Sequence, residues 1–178
     1  LRVVYQRAET RKRAEEFHGS KYVQADMGII LPQVKADVIA GRQVLFSGTA
    51  CHIAGLIKYL GKNYDNLYTC DLICHGVPSP MLLEKYIEYM CSRYNASVVK
   101  FHFGYYDAEN GYRWNDPRRE RIEFSNRKIY EGNKYIRSFA SNWCIRPYCY
   151  ICPYARPERI SDFTIGDFWG VEKHTSIF

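Results

Sequence analysis

An α/β fold, with a mostly parallel or mixed sheet, flanking helices, an inserted β-hairpin and a cysteine-bearing C-terminal segment, is predicted by three observations. Short apolar runs suited to buried strands, Val44-Leu45-Phe46 and residues 67–73, alternate with stretches whose apolar residues recur at helical spacing. Glycines stand where those helical stretches should stop, at Gly41 and Gly61. Past Gly104 the alternation gives way to two short strand patterns and then to Cys149-Tyr150-Ile151-Cys152.

In chain order, residues 9–17 read as a charged helix with Ala14 and Phe17 inward, ended by Gly19. In residues 28–40, Ile30, Leu31, Val34, Val38 and Ile39 define one helical face, and Val44-Leu45-Phe46 follows as a buried strand. Ser47-Gly48-Thr49-Ala50-Cys51 leads into a helix over 53–60. A second strand over 67–73 then runs into Cys74-His75-Gly76-Val77-Pro78-Ser79-Pro80. Strand, helix and strand make a βαβ crossover, which requires the two strands to be parallel.

Pro80 stands at a helix start, residues 81–94 carry Leu82, Leu83, Tyr86, Ile87 and Met90 on one face, and residues 98–103 resume as a strand. This repeated alternation implies a parallel sheet core. A Tyr- and Asp-rich loop then runs to Pro117, and Ile122-Glu123-Phe124 and Lys128-Ile129-Tyr130 form the inserted hairpin, joined at Ser125-Asn126-Arg127. Residues 135–142 form a short helix that delivers the segment 144–152.

At 178 residues, 47% hydrophobic and 25% charged, the chain suits one α/β domain spanning residues 1–178. No run approaches the ~18 apolar residues of a membrane-spanning helix, and the N-terminus lacks a signal-peptide layout, so a cytoplasmic protein is expected. The first residue is not Met, and Gly166-Asp167-Phe168-Trp169-Gly170 is patterned sequence near the end, so a fragment of a longer protein is expected. Seven cysteines favour reduced thiols with a metal or redox role over a disulfide framework. The net charge of +6 and sixteen tyrosines come with no aromatic RNA-binding signature and no basic arm, so they are read as a solvated surface, not a nucleic-acid site.

The chemistry-bearing residues are cysteines. Cys51 and Cys74 follow the two crossover strands, whose ends share one sheet edge, the edge where α/β proteins bind ligands. Cys149 and Cys152 form a CxxC turn followed by Pro153. Thiolates select zinc or iron–sulfur clusters over magnesium or calcium. Spacing alone leaves metal binding and burial as small hydrophobes both open for these four. Cys70, Cys91 and Cys144 are read as core packing.

Gly48-Thr49, at a strand end that opens a helix, offers backbone N–H groups and a hydroxyl to an anion such as a cofactor pyrophosphate; the plain alternative is a turn that needs a small residue. Sequence neighbours rarely point the same way, so His52 beside Cys51 and His75 beside Cys74 are poor nucleophilic dyads. A hydrogen-bonding role near a cofactor is the reading for His75. Arg118, Arg119 and Arg121 are either a contact for an acidic cofactor tail or a wet charged face.

The blocks VLFSGTACHIAGL (44–56), DLICHGVPS (71–79), RPYCYIC (146–152) and ISDFTIGDFWG (160–170), with Ser20-Lys21-Tyr22-Val23-Gln24 upstream, resemble the C-terminal region of the coenzyme F-420 hydrogenase/dehydrogenase beta subunits. That resemblance implies an oxidoreductase carrying FAD and a 4Fe-4S cluster. It also implies a ferredoxin-like electron donor or domain and a small-molecule hydride acceptor, a deazaflavin in the founding enzymes. Carried onto this chain, the motif cysteines are Cys51, Cys74, Cys149 and Cys152, and Gly48, Thr49, His75 and Gly76 lie by the flavin. The usual family turn, Gly-Thr-Pro-Cys-Gln, here reads Gly48-Thr49-Ala50-Cys51-His52, and the N-terminal ferredoxin-like segment common in full-length members is not visible in this sequence. The rival expectation is a non-enzymatic interaction module with a structural zinc or unligated core cysteines.

Overall fold

The computed structural model describes residues 2–103 and 120–166. In chain order its elements are α1 (Arg11–Glu15), α2 (Ile30–Ile39), β1 (Val44–Thr49), α3 (Ala50–Leu60), β2 (Leu67–Leu72), α4 (Pro80–Tyr94), β3 (Val98–Phe103), β4 (Glu120–Phe124), β5 (Ile129–Gly132), α5 (Lys134–Ala140) and β6 (Phe163–Ile165), with a 3-10 turn at Pro147–Ile151. The fold is mixed α/β: one three-stranded parallel sheet, one three-stranded antiparallel sheet and flanking helices. The chain divides into two units, the first formed by Leu1–Asp26 and Gly76–Ile151, the second by Met27–His75 and Cys152–Phe178.

The second unit holds the parallel sheet, ordered β1-β2-β6. Ile30, Val34 and Val38 form the buried face of α2, whose end is closed by Gly41 at φ 76; Leu31 is half-buried, and Ile39, expected on that face, is 65% exposed. In α3, Ala50, Ile53, Leu56 and Leu60 are buried, and Gly61, at φ 73, donates its N–H to the Ile57 carbonyl. The β1 run expected to be buried throughout instead alternates: Phe46 and Gly48 are buried, while Leu45 is 67% exposed. A strand sends successive side chains to opposite faces, and α2 and α3 pack against β1.

The first unit holds the antiparallel sheet β3-β4-β5. Its core combines Val23, Leu83, Phe103, Tyr135 and Ile136, with Tyr86 packed against it, and a second cluster of Met90, Ile122 and Phe124. α4 starts on Ser79, whose hydroxyl accepts from the Leu82 N–H at 3.3 Å, with Pro80 as its first residue. The hairpin turn at Ser125-Asn126-Arg127 is fixed by the Asn126 side chain, which accepts from the Lys128 N–H at 3.1 Å, and by Arg127 at φ 66.

Two expectations are corrected. β3 does not extend the parallel sheet; it pairs antiparallel with β4, Phe103 against Glu120 and Val98 against Phe124. The nearby hairpin offers it an antiparallel partner, and the third parallel strand comes instead from β6, whose Phe163, Thr164 and Ile165 pair with Cys70, Asp71 and Leu72. α1 is shorter than residues 9–17 and has no inward face, since Ala14 and Phe17 are exposed. It is held locally, by the Thr10 cap and the Arg11–Glu15 and Arg13–Glu16 ion pairs. The loop to Pro117, Arg118, Arg119 and the stretch Asp167-Phe168-Trp169-Gly170 lie outside the described residues. No helix among the described residues is long and apolar enough to cross a membrane.

Candidate functional site

The C-terminal edge of the parallel sheet is built by register. Gly48 pairs with Asp71 and Thr49 with Leu72, so β1 and β2 end side by side. Cys51 and Cys74 each follow those paired ends by two positions, and both are exposed. The helix begins earlier than residue 53, so Cys51 sits in the first turn of α3 and not in a loop. Thr49 is the N-cap residue, yet its side chain makes no capping bond; its Oγ1 lies 3.2 Å from Cys51 Sγ. His52 is half-buried, and burial pushes its pKa below the ordinary imidazole value, which keeps the ring neutral at pH 7. His75 is exposed.

Immediately before this edge lies a buried polar lock that sequence reading did not find. Asp71, 0% exposed, accepts from Arg159 Nη2 and from Thr164 Oγ1, the latter at 2.6 Å. Arg159 also donates to the Leu72 carbonyl at 3.3 Å and to the Tyr154 carbonyl at 3.2 Å. Burial pushes the Asp71 carboxyl upward, but hydrogen bonds from Thr164, Arg159 and Ser161, with the Arg159 charge, outweigh it and hold the pKa below the usual carboxylate range. Two positions earlier on β2, Thr69 donates its N–H and hydroxyl to Asp162 at 2.7 and 2.8 Å, while the Asp162 N–H donates to Thr69 Oγ1 at 3.1 Å; the bonds from Thr69 lower the Asp162 pKa. The two locks fasten the segment after Cys152 to β2.

In the first unit, Cys149 is half-buried in the 3-10 turn Pro147–Ile151, and its N–H donates to the Arg146 carbonyl at 2.9 Å. Arg146 in turn donates to Val77, and Pro78 bridges Ile145. Gly76 has φ +122, and a Cβ there would meet Ile145 at 3.3 Å and the Cys149 Cβ at 3.4 Å. Only glycine accepts that backbone without strain, and its bare face abuts protein.

A family model for the C terminus of the coenzyme F420 hydrogenase/dehydrogenase beta subunit matches residues 41–178. The chain belongs to this family. A comparison with curated proteins finds no match. Membership in the F420 hydrogenase/dehydrogenase family makes the chain an oxidoreductase subunit in the broad sense, and one named for a place in a larger enzyme.

The donor set suits a cluster in its chemistry, since none of the seven cysteines is in a disulfide. Its placement does not complete one: among the described residues no group of three or more His, Cys, Asp or Glu side chains is gathered to hold a metal ion. Cys51, Cys74 and Cys152 belong to the second unit and Cys149 to the first. Cys70, Cys91 and Cys144, read as core residues, are each half-buried, and burial pushes the Cys144 thiol up. Arg121 pairs with Glu131 at 2.9 Å and lies 3.4 Å from Glu123, so its charge is engaged on the sheet surface.

Proposed function

We propose that the chain is the electron-handling part of an F420 hydrogenase/dehydrogenase-type beta subunit. In this reading Cys51, Cys74, Cys149 and Cys152 ligate a 4Fe-4S cluster, and Gly48, Thr49, His75 and Gly76 contribute to an FAD site. When bound, such cofactors supply single-electron and hydride chemistry, with a deazaflavin-type or other small molecule as acceptor. A ferredoxin-like protein or domain serves as donor, and the compartment is the cytoplasm.

The observation that supports this reading most is the pairing of Thr49 with Leu72, which sets two exposed thiols just past adjacent strand ends inside the family-matched region. Around them the chain's own residues have definite work. The Thr49 hydroxyl sits against the Cys51 thiol, His52 stays uncharged beside it, and the Asp71–Arg159 lock holds the strand end that leads to Cys74.

The test is anaerobic purification with measurement of iron, sulfide, zinc and flavin and a visible spectrum. Iron and sulfide in equal amounts, with a broad band near ~400 nm that dithionite bleaches, is the expected result. Replacing Cys51 or Cys149 by Ser should remove the band. A colourless protein that carries zinc after anaerobic reconstitution would overturn the proposal in favour of a structural metal module.

A further inference from the structure

Residues 133–151 of the first unit contain Lys134, Arg137 and Arg146 and no Asp or Glu, and all three cations are exposed. The same stretch turns large apolar side chains to solvent: Trp143 is 75% exposed, Tyr148 64%, Tyr150 61% and Ile151 74%. These residues are not on a loose loop. The Tyr150 hydroxyl donates to the Asn142 carbonyl, folding the 3-10 turn back onto the end of α5, and the Trp143 N–H donates to the Ser138 carbonyl at 3.1 Å.

Aromatic rings and arginines, with acidic residues absent, are the composition of protein-interface centres, and a surface already held in shape loses less freedom on binding. We propose that this face docks a partner protein whose contacting surface is acidic. A protein fits better than nucleic acid for two reasons. Three cations are few for tracking a phosphate backbone, and Ile151 offers no π-face on which a base could stack. The inference deepens the proposed function, resting on its ferredoxin-like donor for the choice of partner, and does not depend on what Cys149 holds.

The experiment titrates the 178-residue chain with a bacterial two-cluster ferredoxin, a small acidic protein, at low and at physiological salt. Binding should be measurable at low salt and weaken as salt rises, because exposed charges are screened over ~8 Å at physiological ionic strength. Reversing two charges, Arg137→Glu with Arg146→Glu, should weaken binding by about tenfold or more and flatten the salt dependence. Trp143→Ala should weaken it by about tenfold with the salt dependence kept, and Trp143→Phe should retain most of the affinity. Circular dichroism confirms that each variant is folded, and Arg146→Gln gives a milder variant for the same reading.

Wild-type binding that is absent at low salt, or unchanged by the charge reversal, overturns the proposal. Binding of a single-stranded oligonucleotide, lost in the same variants while ferredoxin does not bind, reassigns the face to nucleic acid. Iron, sulfide and flavin are measured on the same preparation, so failure here and failure of the cofactor reading are told apart.

Discussion

Among the described residues each unit buries one carboxylate completely, Asp71 in the second and Glu120 in the first, and the two are stabilised in opposite ways. Asp71 faces a guanidinium and a hydroxyl, which hold it ionised against the cost of burial. Among the described residues no cation donates a hydrogen bond to Glu120. Its Oε1 accepts from the Tyr86 hydroxyl, and its Oε2 accepts from the N–H groups of Tyr135 and Ile136, at 3.0 and 3.2 Å, in the first turn of α5. Burial is the larger influence there and pushes its pKa up despite those bonds, and it pushes Tyr86 up as well. At Asp71 the hydrogen bonds, with the Arg159 charge, outweigh the cost of burial, whereas at Glu120 burial outweighs the hydrogen bonds. The second unit keeps an ion pair as a lock, while the first keeps a carboxyl that holds its proton more tightly than usual and caps a helix.

The largest test of this contrast is Asp71→Asn. Removing the charge leaves Arg159 partly buried without its counter-ion; its bonds to the Leu72 and Tyr154 carbonyls bring no compensating negative charge, and its Nε is already buried with no partner among the described residues. A loss of about 3–5 kcal/mol is expected. Urea unfolding followed by circular dichroism measures it, and wild-type stability in this variant would break the comparison.

Glu120→Ala comes next. It strands two backbone N–H groups and a hydroxyl, for an expected loss of about 2–3 kcal/mol by the same assay. Glu120→Gln keeps the shape and loses less, and it exposes the pH signature. Because the folded state holds the Glu120 proton longer than the unfolded chain does, wild-type stability from this group is full below the unfolded value of ~4.3 and is lost as pH rises through the higher folded value. Asp71 acts oppositely: its contribution is present above ~3.9 and is lost as pH falls through its depressed folded value. Unfolding free energy plotted against pH should be flatter above ~4.3 in Glu120→Gln than in the wild type; parallel curves would mean that burial does not raise the Glu120 pKa.

The smallest effect belongs to Tyr86→Phe, which removes one donor to Glu120 at an expected cost of about 1 kcal/mol. Removing that donor should also raise the Glu120 pKa further. A shifted urea midpoint with an unchanged slope is the expected result, and no shift would assign Glu120's anchoring to the α5 amides alone.

Several features were legible because their causes are local. The buried face of α2, the Gly61 closure of α3, the Ser79-Pro80 start of α4 and the Asn126 turn are each set within about five residues of chain. The shared edge of Cys51 and Cys74 was legible too, since a short crossover constrains its two strands to be parallel. The lock beside that edge was not: Asp71 and Arg159 are 88 positions apart, and no spacing rule joins them. Gly76 stood inside a readable motif, but its φ of +122 and its contact with Ile145 are products of packing.

Sequence alone determined the helices after α1, the βα turns that carry the cysteines, the hairpin and the family, because periodicity, caps and turn residues act over a few positions and the motifs recur in order. Only the tertiary structure decided that β3 joins the hairpin, that β6 completes the parallel sheet, and that one buried carboxylate meets a guanidinium while the other meets a phenol. Those outcomes depend on which distant segments satisfy strand edges and buried charges at the lowest desolvation cost, a competition settled across the whole chain.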